Sequence, residues 1–212
     1  IEELKQRAMA HYATQSRAVT KQDYESLVYN MPSKFGAIKR VSIINDPSSS
    51  NRKLSMYVIS ESPNGFLMTS NDVVKNNLKN WLSKYKMLND RLEIFDAKVI
   101  NFSVNFSAVS DPRYDSDSVL NRCLIELQNY FSEVSYIGEP LYITRIYEIL
   151  NGVSGIIDVK KVLVNNLVGG PHSSVSVNFD DLISKDGTYI KVPKNVILEM
   201  KFPSLDIKGT II

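Results

Sequence analysis

The clearest structural signal in this sequence is a strictly alternating stretch, Ile100-Asn101-Phe102-Ser103-Val104-Asn105-Phe106-Ser107-Ala108. Every second residue is apolar, and each residue between them is asparagine or serine. Because successive side chains of a β-strand point to opposite faces, the pattern predicts a strand with one buried face and one solvated face.

Upstream of this strand, the sequence predicts a helix and a hairpin. Thr20 stands three residues before Asp23, which is the spacing of a capping box, and the helix that it starts should end before Pro32. The predicted hairpin consists of strands at 38–45 and 53–60, joined by a turn at 46–51.

A second helix is predicted from Asn71 or Asp72, because apolar residues recur at helical spacing after that point. Its apolar face carries Leu78, Trp81, Leu82, Tyr85 and Leu88. With strand 100–108 the order is α-β-β-α-β, and one further upstream strand would complete a split βαββαβ (ferredoxin-like) domain.

Downstream of a polar joint at 111–117, the pattern changes to helix, helix and strand. The apolar stripe of the first helix is Leu120, Leu124, Leu127, Phe131 and Val134. A shorter helix at 141–150 and a strand at 159–165 follow, and the tail after Gly169 is rich in β signals. We therefore expect an α+β protein with three parts: a split βαββαβ domain at 1–110, a helix-helix-strand domain at 111–168 and a β-rich extension at 169–212.

Composition gives no reason to expect nucleic acid or a membrane as partner, and it favours one type of compartment. The chain has 212 residues, with 25 basic and 23 acidic side chains and a net charge of +2. This small surplus predicts neither nucleic acid nor an anionic membrane as the main partner. A single cysteine allows no intrachain disulfide, which favours a reducing compartment. Residues 1–12 read as a helix and both ends look cut, so we expect a fragment of a longer protein.

The side chains that catalysis needs are few. The only candidates for a nucleophile with its base are Cys123, His11 and His172, and Cys123 lies beside the apolar stripe of a helix. The carboxylates of Asp111, Asp115 and Asp117 lack the glycine and the closing glutamate of a calcium loop, so Asp115 or Asp117 is interpreted as the cap of the helix that follows. The sequence therefore predicts no catalytic, cofactor-binding or metal site, no small-molecule substrate and no enzymatic activity.

The other candidate binding features in the sequence are a glycine pair and two groups of aromatic residues. Gly169-Gly170 lacks the lysine that ends a phosphate-binding loop and is interpreted as a joint. Trp81 with Tyr85 is interpreted as core. An RNA-binding module remains the alternative function, with Phe102 and Phe106 as stacking aromatics, although no RNP-type motif is present. Its phosphate contacts would be Lys34, Lys39, Arg40, Arg52 and Lys53.

Two stretches of the chain resemble a known family. Arg17-Ala18-Val19-Thr20-Lys21-Gln22-Asp23-Tyr24 resembles the start of a helix in baseplate J-like proteins, which build the baseplates of contractile phage tails. The second stretch contains Ile137-Gly138-Glu139-Pro140-Leu141 and, further on, Val153-Ser154-Gly155-Ile156-Ile157-Asp158-Val159. The match covers roughly residues 15–165, and the asparagine- and lysine-rich character is most like the wedge subunits of T4-type phages.

The resemblance implies a structural subunit of the baseplate wedge, which is not an enzyme. Such a subunit forms a homodimer, contacts other wedge proteins and links neighbouring wedges into a ring around the tail hub. It would be assembled in the host cytoplasm and located in the virion tail. The motif residues would then have scaffold roles: a turn at Gly138, the first turn of a helix at Pro140 and a close approach at Gly155.

The β-rich extension contains the candidate protein interface. Val196, Leu198, Met200 and Phe202 form one apolar face of a predicted strand. A strand of this kind can pair with another subunit. Packing inside its own domain is the equally weighted alternative.

Overall fold

A computed structural model describes residues 17–45 and 53–212. The expected helix at 1–12, the turn at 46–51, His11 and Arg52 lie outside the described residues. The helices are α1 (Lys21–Tyr29), α2 (Asp72–Ser83), α3 (Ser116–Phe131), α4 (Ile143–Asn151) and α5 (Pro203–Asp206). The strands are β1 (Arg40–Asn45), β2 (Lys53–Glu61), β3 (Leu67–Met68), β4 (Arg91–Asp96), β5 (Lys98–Ser110), β6 (Leu141–Tyr142), β7 (Ile156–Leu167), β8 (Tyr189–Ile190), β9 (Val196–Glu199) and β10 (Ile207–Ile211). The α+β class is confirmed.

The first compact unit ends at Ala97 and contains α1, α2 and β1–β4. Strand β2 pairs antiparallel with β1 and β3 and parallel with β4. Both helices bury residues in the same core as the sheet, because α1 contributes Tyr24 and Leu27 while α2 contributes Leu78 and Leu82. Trp81 also packs there, and its indole N–H donates to the carbonyl of Leu27 at 2.9 Å.

The predicted start of α1 is confirmed in detail. The backbone N–H of Asp23 donates to Thr20 Oγ1 at 3.1 Å, and the N–H of Thr20 donates to Asp23 Oδ2 at 2.8 Å. The N–H of Val19 donates to the same carboxylate at 2.9 Å. Burial raises the pKa of Asp23, but these bonds from Thr20 and Val19 outweigh it and hold the pKa below its ordinary value.

The strand order of the first unit differs from the expectation. The stretch at 100–108 was predicted as its last strand, but β4 takes that place and pairs directly with β2. A split βαββαβ sheet would have another strand between these two, so that detail is corrected for the described residues. The β2-α2-β4 crossover brings parallel strands together as immediate neighbours.

The second compact unit, Lys98–Ile212, is built around β5. Strand β7 pairs antiparallel with β5, while β9 and β10 both pair parallel with it. The predicted inward residues of β5 are buried, from Ile100 at 1% exposure to Ala108 at 0%. Helices α3 and α4 contribute Val119, Leu127, Ile146 and Leu150 to the same core.

The units do not follow the expected domain boundaries at 110/111 and 168/169. The division falls at Ala97/Lys98, because β5 is hydrogen-bonded to strands from both of the expected later domains. Segment 175–179 lies in the extension whose sequence is rich in β signals, but it forms no strand and ends in a 3₁₀ turn at Phe179–Asp181. A short pair of β6 with β8 also ties the extension to the preceding region.

Two motif glycines have the roles that were predicted for them. Gly138 has φ of 78° and Gly155 has φ of 101°, a region that favours glycine. A Cβ on Gly155 would lie 2.8 Å from Cγ2 of Val119, so this turn also packs closely on α3. Pro140 does not start a helix, since β6 intervenes before α4 begins at Ile143.

Candidate functional site

The candidate nucleophile and base are not brought together for catalysis. Cys123 is fully buried on α3, and burial raises the pKa of its thiol to about 11. His172 places Nε2 3.8 Å from Oδ1 of Asp206, and its ring meets Phe202 edge-on. No hydrogen bond joins Cys123 to His172 in the part of the chain that the structure describes. Cys123 is therefore an inert core residue in this fold.

The three aspartates are also engaged locally. The Arg113 side chain, followed by its backbone N–H, lowers the pKa of Asp111 through hydrogen bonds. Asp115 caps α3 by accepting from the N–H of Ser118 at 2.9 Å, as predicted, and Asp117 lies in the first turn of that helix. Across residues 17–45 and 53–212, no group of three or more His, Cys, Asp or Glu side chains is arranged to hold a metal ion.

Gly169 and Gly170 form a turn with φ of 85° and 59°. The N–H of His172 closes it on the carbonyl of Gly169 at 3.1 Å. The structure starts no helix at this turn, so its N–H groups are not aligned with a helix dipole as in a phosphate-binding loop.

The residues expected to stack RNA bases are not accessible. Phe102 and Phe106 are 2% and 4% exposed in the core of the second unit, which removes them as a stacking platform. Lys39 and Lys53 are paired with Glu61 at 2.8 Å and with Glu93 at 3.0 Å. The described residues therefore do not form the expected RNA-binding surface.

The structure shows an aromatic pair that sequence reasoning missed. Tyr57 and Phe95 are register partners on β2 and β4, and their ring centroids lie 5.6 Å apart. Phe95 is 43% exposed. The sequence could not predict this contact, because Tyr57 and Phe95 are far apart in the chain and only the pairing of β2 with β4 brings them together.

The proposed interface face of the extension is mostly buried. Val196, Leu198 and Met200 are 6%, 4% and 8% exposed and belong to the core of the second unit. The alternative of packing inside the same domain is therefore what the structure shows for these three side chains. Phe202 is half-buried, and its N–H donates to Oδ2 of Asp206 at 2.9 Å.

A larger and a smaller surface depression lie among the described residues of the second unit. The larger, about 570 Å³, lies between α3 and α4, where Arg122 donates to Oγ of Ser154 at 3.0 Å and Arg145 pairs with Glu148 at 2.6 Å. The smaller, about 140 Å³, lies at the C-terminal end of α3 and is lined by aromatic and acidic side chains. Sequence reasoning identified neither.

Among the described residues, no helix combines the length and the apolar character that crossing a membrane requires.

Comparison with known proteins identifies the fold but no family. No family model matches the chain, and no curated protein matches it. A chain in the cryo-EM structure of the anti-feeding prophage baseplate, 6-fold symmetrised, is similar with a TM-score of 0.59 and 12% sequence identity. The alignment covers 95% of this chain and 41% of that one, so the protein spans less than half the length of its structural neighbour. This chain therefore shares its α+β fold with part of a baseplate protein.

Proposed function

We propose that this chain is part of a structural subunit of a contractile-tail baseplate and that it has no enzymatic role. The observation that carries the proposal is the fold likeness to a chain of the anti-feeding prophage baseplate over 95% of its length. The motif resemblance across roughly residues 15–165 supports the same class from the sequence. Two kinds of evidence thus favour one function.

The use of polar groups in the structure supports a scaffold role. The residues that stand out in the sequence serve as the cap of α1, the cap of α3 and the glycine turns at Gly138 and Gly155. The one cysteine is buried with a raised pKa, which opposes the thiolate that nucleophilic catalysis needs.

The finer proposal concerns assembly. The chain belongs to the baseplate wedge, forms a homodimer, contacts other wedge proteins and links neighbouring wedges into a ring around the tail hub. We place it in the virion tail after assembly in the host cytoplasm. Its partners are proteins, not nucleic acid, membrane or small molecules.

The outer edge of β10 is our preferred place for self-association, instead of the buried side chains of β9. In the described sheet, β10 pairs only with β5, which leaves its other edge open. The N–H of Ile212 donates inward to the carbonyl of Ala108 at 2.9 Å. Because N–H directions alternate along a strand, the N–H of Ile211 points to the open edge. Phe202, the half-buried residue at the end of the predicted face, stays a proposed contact.

The location is tested by labelling. An epitope-tagged chain should co-sediment with intact tails, and gold-labelled antibody should mark the baseplate end in electron micrographs. Tag found only in the soluble fraction, with unlabelled baseplates, would contradict the proposal.

Light scattering tests the association. We expect the purified chain at micromolar concentration to have twice the mass of the monomer. Ile211→Pro removes the outward N–H and should yield monomer, whereas Ile211→Val keeps it and should remain dimeric. A monomeric wild-type chain would count against dimerisation through this region.

A further inference from the structure

The smaller depression of the second unit has the features of a socket for a cationic side chain. Its floor is apolar, since Leu141 and Leu198 are 8% and 4% exposed. Its walls are the rings of Tyr130 and Tyr136, which are 38% and 53% exposed. At about 140 Å³ it has the volume of roughly five water molecules, enough for one side chain but not for a folded segment.

The charged residues that line the socket are acidic. Glu133 and Glu139 line it, both are exposed, and its lining includes no basic residue. Glu139 is held in place because its Oε2 accepts the N–H of Tyr136 at 2.7 Å. Arg145, whose charge acts on Tyr130, is paired with Glu148 at 2.6 Å.

The end of α3 adds a second, independent attraction for a cation. Tyr130 and Phe131 are in its last turn, at the end of the helix where the dipole is partly negative. The last turn contains no basic residue that would neutralise this charge. The Tyr130 ring meets Phe131 edge-on, with centroids 4.8 Å apart, which fixes one wall.

We propose that this socket binds an exposed arginine of a partner protein chain. The methylene stem of arginine suits the apolar floor, and its planar guanidinium can stack on tyrosine while donating to a carboxylate. Lysine offers no planar group for that stacking. The inference stands on the cavity and its charges, so it does not depend on the baseplate proposal.

A peptide titration of the whole chain tests the socket. The probe is an acetylated Gly-Arg-Gly amide, with the citrulline peptide as a neutral match of the same shape. Nuclear magnetic resonance of labelled tyrosine rings should show saturable shifts at Tyr130 and Tyr136 with the arginine peptide. We expect the citrulline peptide to bind about two- to fivefold more weakly, because an exposed ion pair contributes up to about 1 kcal/mol.

Matched variants locate the binding. Glu133→Gln should weaken the arginine peptide about two- to fivefold. Glu126 is an exposed residue of α3 that does not line the socket. Glu126→Gln therefore removes the same charge at another place and should leave the affinity for the arginine peptide unchanged. Tyr136→Leu keeps the wall apolar but removes the ring, and it should also weaken binding.

Three results would overturn the socket. They are equal affinity for arginine and citrulline peptides, equal effects of Glu133→Gln and Glu126→Gln, and no saturable shift of the two rings in the folded wild-type chain. None of these results bears on whether the protein lies in a baseplate.

Discussion

Strands β5 and β9 lie side by side in one sheet, and both carry an apolar face. In β5 the apolar residues lie between asparagine and serine, and they are buried as the sequence predicts. In β9 the apolar face was predicted either to form an interface or to pack inside its own domain, and Leu198 is 4% exposed in the same core. The comparison shows that alternation identifies which face is buried but not which chain or element covers it.

On the polar face of β5, alternation did not identify which residues are exposed to solvent. Asn101 was predicted to be solvated, but it is 1% exposed. Its Oδ1 accepts the N–H of Ser173 at 2.7 Å, and its Nδ2 donates to Oε2 of Glu199 at 3.0 Å. The Asn101 amide thus forms hydrogen bonds with Ser173 and Glu199 of the extension, so this buried polar residue links β5 to the extension.

The largest expected loss of stability comes from truncating a buried apolar side chain of β9. Leu198→Ala should lower the free energy of unfolding by about 2–5 kcal/mol, because it leaves a cavity in the core. Urea unfolding measures this change, and light scattering measures the mass. If the face is core, stability falls while the association state is unchanged.

A matched substitution in β5 calibrates that result. Phe106→Ala should cost about 3–5 kcal/mol, since the ring packs in the same core. A stable Leu198→Ala variant that has lost its dimer would reverse our assignment of β9.

A smaller effect is expected from the amide that ties β5 to the extension. Asn101→Ala should cost about 1–3 kcal/mol, because buried partners lose their hydrogen bonds. Amide exchange at Ser173 should accelerate, which hydrogen-exchange measurements detect. Asn105→Ala is the control, because that half-buried residue makes no side-chain hydrogen bond with the described residues. Equal losses for both variants would show that Asn101 is not a specific tie.

The smallest effect concerns a feature that the sequence predicts locally, the capping box of α1. Asp23→Asn should cost about 1 kcal/mol at pH 7. The folded pKa of Asp23 lies below its ordinary value of 3.8, so its charge stabilises the fold above that pH. This contribution is lost as the pH falls through the folded pKa. The difference between variant and wild type should therefore shrink from pH 7 to pH 3 in urea unfolding, and a constant difference would argue against the charge.

Much of the local structure could be predicted from the sequence. The start of α1, the cap of α3 by Asp115 and the buried face of β5 all follow from short-range spacing. The place of β4 could not be predicted in this way. Its residues are only partly buried and their pattern is weaker than that of β5, so the stronger strand was assigned to the first unit.

The candidate sites were less predictable. The sequence indicated correctly that Cys123 is a buried thiol and that Asp115 caps α3. It did not indicate the Tyr57–Phe95 pair or the socket at the end of α3, because each combines residues from separate elements.

The sequence by itself determined the caps of α1 and α3, the turns at Gly138 and Gly155 and the inward apolar face of β5. These features depend on interactions within a few residues, where spacing is sufficient evidence. Only the tertiary structure decided that β5 belongs to the second unit, that β9 covers its own core and that Asn101 is buried. Those outcomes depend on hydrogen bonds between distant segments, such as β5 with β9, whose register no local pattern specifies.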